Sequence, residues 1–291
     1  MPWNYLEKII NDGTQEPYSK DLVEAKSEYH KTAGEIYEDD KAYETRMALF
    51  LEWYLFDRIL AGTETTQLDR LIELNQSIWD EDYLEACKGF TGNIFGIFIV
   101  KKIRDKEVTV LNLFDAMTYT VKEQDGKMMF DKNDIFQARL LPYQDALYFT
   151  RNFCFHPRDA RKFIENEIRD AIKEQTASKS EIKKLNSSIE TLHKRLKKNR
   201  EKLEKFRNKI ESVSNEAKRA KLIVEEQNML GACAQLEQEI GSFEYKKERI
   251  EIEKIKIEGR TVNCQLAHRL GYMQLKWERS RQIDLKDIYT S

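Results

Sequence analysis

The amino-acid sequence predicts an α+β fold: N-terminal helices packed on an antiparallel sheet, then a long α-helical coiled-coil hairpin and a C-terminal helix docking back on the head. Three observations predict it. Helical periodicity fills residues 1–90, with one helix apolar around its whole circumference. β-Branched and aromatic runs separated by short polar turns fill 93–155. After Pro157 the chain holds no proline, and heptad spacing runs through about 100 residues. The implied organisation is a globular head over 1–156, a coiled-coil arm over 157–258, and a terminal helix and tail over 259–291 that return to the head.

The first region reads as helices over Asp21–Tyr37, Lys41–Ala61, Gln67–Leu74 and Glu81–Lys88. Gly62 stands where a C′ glycine ends the second, and Ser77 or Asp80 can cap the fourth. In the second helix Leu49, Phe50, Trp53, Tyr54, Phe56 and Ile59 point in every direction, which places it at the domain's centre. Glu52 and Asp57 also lie in it. Five residues apart, they are predicted to point to different faces, which argues against an acid/base pair and for a buried salt bridge or hydrogen bond at each, for example with Arg46, Arg58 or Arg139.

Strand chemistry follows in Ile94–Ile103, Val108–Phe114, Tyr119–Val121, Ile135–Leu141 and Leu147–Phe155, about five strands. The connections are too short for parallel crossovers, so the strands are predicted antiparallel. Asp125-Gly126 falls in the longest polar break. Pro157 is placed to open the helix that follows.

In the arm, Ile182, Leu185, Ile189, Leu192, Leu196, Asn199, Leu203, Phe206, Ile210 and Val213 alternate by three and four residues. Asn199 is the one polar member, a type that fixes register. A second seam starts at Met229 and runs through Cys233, Leu236, Ile240 and Phe243, out of frame with Ala217, Ala220 and Val224, which continue the first. The frame break predicts a hairpin with its apex at 212–215, in preference to 227–231; a parallel dimer is the competing arrangement. Arms of about 40 residues would run roughly 60 Å. Beyond Gly259, Val262, Leu266, Leu270, Met273 and Trp277 share one helix face.

Charged residues make up 34% of the 291 and the net charge is only −2. That near-neutrality hides a segregation: residues 1–90 hold 9 basic and 20 acidic side chains, residues 158–215 hold 17 and 10. The densest cationic stretch, 191–210, contains Lys194, Arg195, Lys197, Lys198 and Arg200, which could follow a phosphate backbone. The same cations could pair with the acidic second arm, and no aromatic residue interleaves them for base stacking. Four other residues invite a metal reading. Cys154 and His156 end the last strand, Cys264 and His268 are spaced i, i+4, and a folded-back terminal helix could bring the four together for zinc. Core packing, in which a buried cysteine acts as a small hydrophobe, is the favoured reading of them.

No phosphate loop, nucleophile elbow or dinucleotide-binding glycine motif occurs, so the sequence predicts no cofactor and no enzyme. Four scattered cysteines, no leader pattern at Met1-Pro2-Trp3-Asn4 and no long apolar run point to a cytoplasmic protein without a membrane span.

Phe50-Leu51-Glu52-Trp53-Tyr54-Leu55-Phe56-Asp57, Gly96-Ile97-Phe98, Val110-Leu111-Asn112-Leu113 and Ala138-Arg139-Leu140-Leu141-Pro142 resemble an uncharacterised bacterial α+β module. That module, spanning about 45–155 here, is often found beside SEC-C zinc motifs. The cysteine-rich SEC-C signature is missing from this chain, so no zinc site carries over, and the resemblance transfers no catalytic residue. The functional expectation is a non-enzymatic interaction or scaffolding protein that binds a protein partner, or itself, through the coiled-coil arm. A nucleic-acid-associated protein using 191–210 and a small-ligand-binding or enzymatic head are the alternatives.

Overall fold

A computed structural model describes residues 2–122, 130–280 and 282–290; Asp125-Gly126 lies outside them. The fold is α+β, as predicted. The chain divides into two units, residues 1–173 with 259–291, and residues 174–258.

The larger unit begins with α1 (Pro2–Thr14), which the sequence reading passed over, and α2 (Ser19–Ala33). Trp3, Leu6, Ile9 and Ile10 of α1 stand at helical spacing, and Leu6 and Ile9 are buried. They pack with Leu55, Phe56, Leu68 and Leu71. Next come α3 (Tyr43–Phe56), α4 (Gln67–Asn75) and α5 (Glu81–Phe90). Thr66 and Asp69 cap α4 reciprocally, and Asp80 caps α5. Helix α3 is the central one: Leu49, Phe50, Trp53, Tyr54, Leu55 and Phe56 are all buried. It stops at Phe56, short of the predicted Ala61, because Ile59 turns out to bridge Thr66 in extended pairing.

Six antiparallel strands follow among the described residues: β1 (Ile94–Arg104), β2 (Glu107–Asn112), β3 (Thr118–Lys122), β4 (Ile135–Tyr143), β5 (Ala146–Phe149) and β6 (Cys154–His156). Their order is β3-β2-β1-β4-β5, with β6 also on β4. The predicted last strand is therefore two. Arg151, at a φ of 73°, breaks the extended run, so that Phe149 pairs Leu140 and Cys154 pairs Gln137.

Alternation along the strands sends side chains to two cores. Phe98, Val100, Phe136 and Leu140 join Val108, Val110, Phe130 and Phe149 on one face. Ile97, Ile99 and Ile135 face α6 (Arg161–Ala171), α9 (Gly259–Arg279) and α10 (Leu285–Ile288) on the other. Helix α6 thus belongs to the head through Ile164 and Ile168, rather than to the arm.

The second unit consists of α7 (Lys173–Ser212), α8 (Glu216–Arg249) and a π-helical turn, Ile250–Glu258. The chain reverses at 213–215, with Asn215 capping α8 through the Lys218 N–H. This is the predicted hairpin apex.

Candidate functional site

Within the second unit, Leu192 and Leu196 meet Cys233, Leu236 and Ile240, with Ile189 and Phe243 beside them. Leu185 and Leu203 are buried as well, while Ile182, Phe206 and Ile210 are half-buried. Ion pairs Glu181–Lys246 (2.7 Å), Arg200–Glu237 (2.8 Å) and Arg207–Glu226 (2.8 Å) link the two helices in antiparallel order.

One part of the expected register changes. Val224 is 56% exposed and does not continue a seam. The seam on α8 instead extends back from Met229 through Glu226 to Leu222, both the apolar residues being half-buried. A glutamate occupies a seam position because its carboxylate reaches Arg207, and that charge hid the period from a count of apolar residues.

The opposite face of α8 carries a second heptad line: Ala217, Ala220, Val224, Gln227, Gly231, Ala234, Gln238, Gly241 and Tyr245. None is charged, in a chain that is 34% charged. Gly231 and Gly241 have nothing within 4 Å of where a Cβ would stand, and Tyr245 is 66% exposed. Exposed Ile223 and Leu230 flank the line. Glycine in a helix interior costs about 1 kcal/mol relative to alanine, so two on one open face run against helix stability.

The basic run divides. Lys194 pairs with Glu190 on its own helix (2.7 Å) and Arg200 with Glu237 across the hairpin, whereas Arg195, Lys197 and Lys198 are exposed. Two of the five cations are thereby spent on carboxylates, as surface pairs of small energetic weight.

A family model described as a family of unknown function (DUF7986) matches residues 7–195, well over half of the chain. The chain belongs to this family. No curated protein and no solved structure matches it. The matched span of this DUF7986 member covers α2–α6, the sheet and the first half of α7, and it ends before the uncharged line of α8.

In the head, Glu52 and Asp57 meet after all. Both reach Arg139 from β4: Glu52 Oε2 lies 3.4 Å from Nε, and Asp57 receives the Nη1 and Nη2 groups. The expectation of separate faces fails because α3 ends at Phe56, so the 100° step no longer applies to Asp57. Arg139 is 1% exposed, and Asn93 accepts a further hydrogen bond from Nη1. Burial alone would lower the arginine's pKa, yet the two carboxylates, Asp57 first, hold it above the usual value. Burial raises the Glu52 pKa, with Arg139 opposing it.

The four candidate metal ligands do not converge. Among the described residues no group of three or more His, Cys, Asp or Glu side chains is placed to hold a metal ion. Cys154 Sγ and His156 point toward α9 and the tail, to Gln274 Oε1 (3.9 Å) and Tyr289 Oη (3.1 Å). Cys264 and His268 share a face of α9 that looks toward α2 and α3. His268 Nδ1 is 3.0 Å from Thr32 Oγ1, with its ring against Tyr29 and Trp53. Burial lifts the Cys264 thiol well above its ordinary pKa. Cys264 and His268, with Thr32, Trp53, Asp57 and Arg58, line a cavity of about 170 Å³. Sequence reasoning missed this cavity, since its walls come from three helices distant in the chain.

No helix among the described residues is long and apolar enough to cross a membrane.

Proposed function

We propose that this DUF7986 protein is a non-enzymatic interaction protein whose coiled-coil hairpin docks a partner helix along the outer face of α8, and that the partner is the same face of a second copy. The observation that carries this reading is the uncharged heptad line from Ala220 to Tyr245. Small residues let helix backbones approach closely, and exposed Val224, Leu230 and Tyr245 supply apolar area to bury.

Self-complementarity of size favours a second copy. Antiparallel pairing about Ala232–Cys233 sets Tyr245 opposite Ala220, Val224 opposite Gly241 and Gly231 opposite Ala234. Gln227 then meets Gln238, where two amides can exchange hydrogen bonds. Tyr245 and Val224 each meet a small residue.

Sedimentation velocity on the full chain tests the reading. The wild type associates as concentration rises, and Ala234→Glu, which places two carboxylates beside the proposed two-fold axis, weakens association about 100-fold or more. A wild type that stays monomeric at high concentration, or an Ala234→Glu variant that associates equally well, would contradict it.

A further inference from the structure

Strand β1 runs on past the helices that cover its first half. Ile97 and Ile99 lie in the core beneath α6, α9 and α10, whereas Lys101 to Lys106 are all exposed. A β-bulge separates the two halves. Val100 pairs Val110 and Lys102 pairs Thr109, so Lys101 is an extra residue of β1 without a partner on β2. Strict alternation from Phe98 and Val100 would send Lys102 into the apolar core those two share. The bulge turns it outward instead, and Lys101 and Lys102 stand side by side on the outer face.

The register extends this face across three strands. Lys102, Thr109 and Thr120 form one outer row over β1, β2 and β3, and Arg104, Glu107 and Lys122 form the next. Strands lie about 4.8 Å apart and rise about 3.3 Å per residue, which sets Arg104 about 10 Å from Lys122 and about 7 Å from Lys102. Lys106 carries the patch into the β1–β2 turn. Lys132 joins it from the turn before β4, where the Asn133 N–H donates to the Val100 carbonyl (3.0 Å). These six cations are exposed, and none has an ion-pair partner among the described residues. The neighbouring carboxylates are mostly matched: Glu107 sits between Arg104 and Lys122 in its row, and Arg158 takes Asp131 (3.2 Å) and Asp134 (2.7 Å).

We propose that this outer face of β1, β2 and β3 binds the phosphodiester backbone of a nucleic-acid strand, without reading its sequence. Lysine, arginine and threonine are side chains that meet phosphate oxygens, and Thr109 and Thr120 bring hydroxyls to the same face. The two rows hold no apolar anchor of the kind a membrane surface or a protein partner needs. Ile103, 37% exposed, pairs Val108 on the other face. Neither do the rows offer a ring for base stacking: Tyr119 packs against the apolar core, with its hydroxyl donated to Asp115 (2.7 Å). Strands β3 and β5 lie side by side, so β1 to β5 wrap round that core. Small five-stranded barrels bind oligonucleotides on the same β2–β3 face with the β1–β2 loop at its edge, an analogy of architecture that agrees with the charges. The patch belongs to the larger unit and is distinct from the basic run at 191–210 in the other.

Fluorescence anisotropy of the full chain with labelled DNA and RNA strands of about 15 nucleotides is the test. With phosphates met by Lys101, Lys102, Arg104 and Lys122, log affinity falls against log salt with a slope of about −3. Binding then weakens about 50-fold between about 50 and about 200 mM salt. The triple change Lys102→Gln, Arg104→Gln and Lys122→Gln is expected to bring the slope to about −1 and to weaken binding at low salt about tenfold or more. Lys102→Arg with Lys122→Arg keeps wild-type binding, as does Lys197→Gln with Lys198→Gln in the arm. Absence of binding at low salt, a triple variant that binds as the wild type does, or loss of binding on changing the arm lysines overturns the proposal. So does a preference for DNA or RNA beyond about tenfold, or tighter binding to phosphatidylserine vesicles or polyglutamate than to either strand.

Discussion

Lowering the pH from 7.5 to 5 should destabilise the head by an amount set by two histidines. His156 and His268 are 5% and 4% exposed, and burial pushes the pKa of each down to about 3; Arg46 adds to the effect at His156 and Arg139 at His268. In the unfolded chain a histidine titrates near 6.5. The unfolded state therefore binds protons that the folded state refuses throughout the interval between those values. Stability is fully present above about pH 6.5 and falls as the pH drops below it, until the folded rings themselves titrate. At pH 5 each histidine costs about 2 kcal/mol, and the pair about 4 kcal/mol, a large share of a typical domain's stability. Glu52 works in the other direction, because its raised pKa makes the folded state hold a proton more tightly. Comparison of wild type with His156→Gln, His268→Gln and the double variant isolates the histidine contribution. Urea unfolding at intervals across this range is the assay, read as the slope of stability against pH. Each single variant should remove about half of the histidine contribution and the double variant nearly all of it. An acid slope that persists undiminished in the double variant would refute the reasoning.

Other perturbations act on packing and pairing. Arg139→Met strands Glu52 and Asp57 without their cation and should cost roughly 3–5 kcal/mol in urea unfolding, whereas adding Glu52→Gln and Asp57→Asn to it should restore part of the loss. Gly34 has a φ of 69° and faces the Tyr272 ring where a Cβ would stand, so Gly34→Ala should lower the thermal midpoint by several degrees, equivalent to about 1–3 kcal/mol. Glu226→Leu turns the charged seam position apolar and should stabilise the hairpin by about 1–2 kcal/mol, after loss of a surface-type pair with Arg207; a lowered midpoint would show that the pair outweighs the burial.

The elements that were legible in the sequence are those with strong local periodicity. Helix α3 stood out because six large apolar side chains leave it no solvent face, and the strands stood out as β-branched runs between charged turns. The hairpin was legible from the break between two heptad frames. What escaped depends on contacts that sequence spacing does not encode. Strands β5 and β6 separate at a left-handed Arg151. Asp57 joined Glu52 on Arg139 because the helix ended one residue earlier, and no propensity marks that stop. The cavity was less visible still: its defining hydrogen bond joins Thr32 and His268 across 236 positions. The open face of α8 is legible in the sequence, because Ala217, Ala220 and Val224 share one frame that continues past Gly231 to Tyr245 through nine positions without a charge.

Self-recognition through α8 is tested most directly by mixing chains that carry Gln227→Cys with chains that carry Gln238→Cys, under mild oxidation. In the proposed antiparallel pairing these two positions face each other across the interface, while each is more than 10 Å from its own copy in the second chain at a rise of 1.5 Å per residue. The account predicts a disulfide-linked dimer that forms quickly in the mixture and not in either sample alone. Equal cross-linking in all three samples, or none in the mixture, would contradict it.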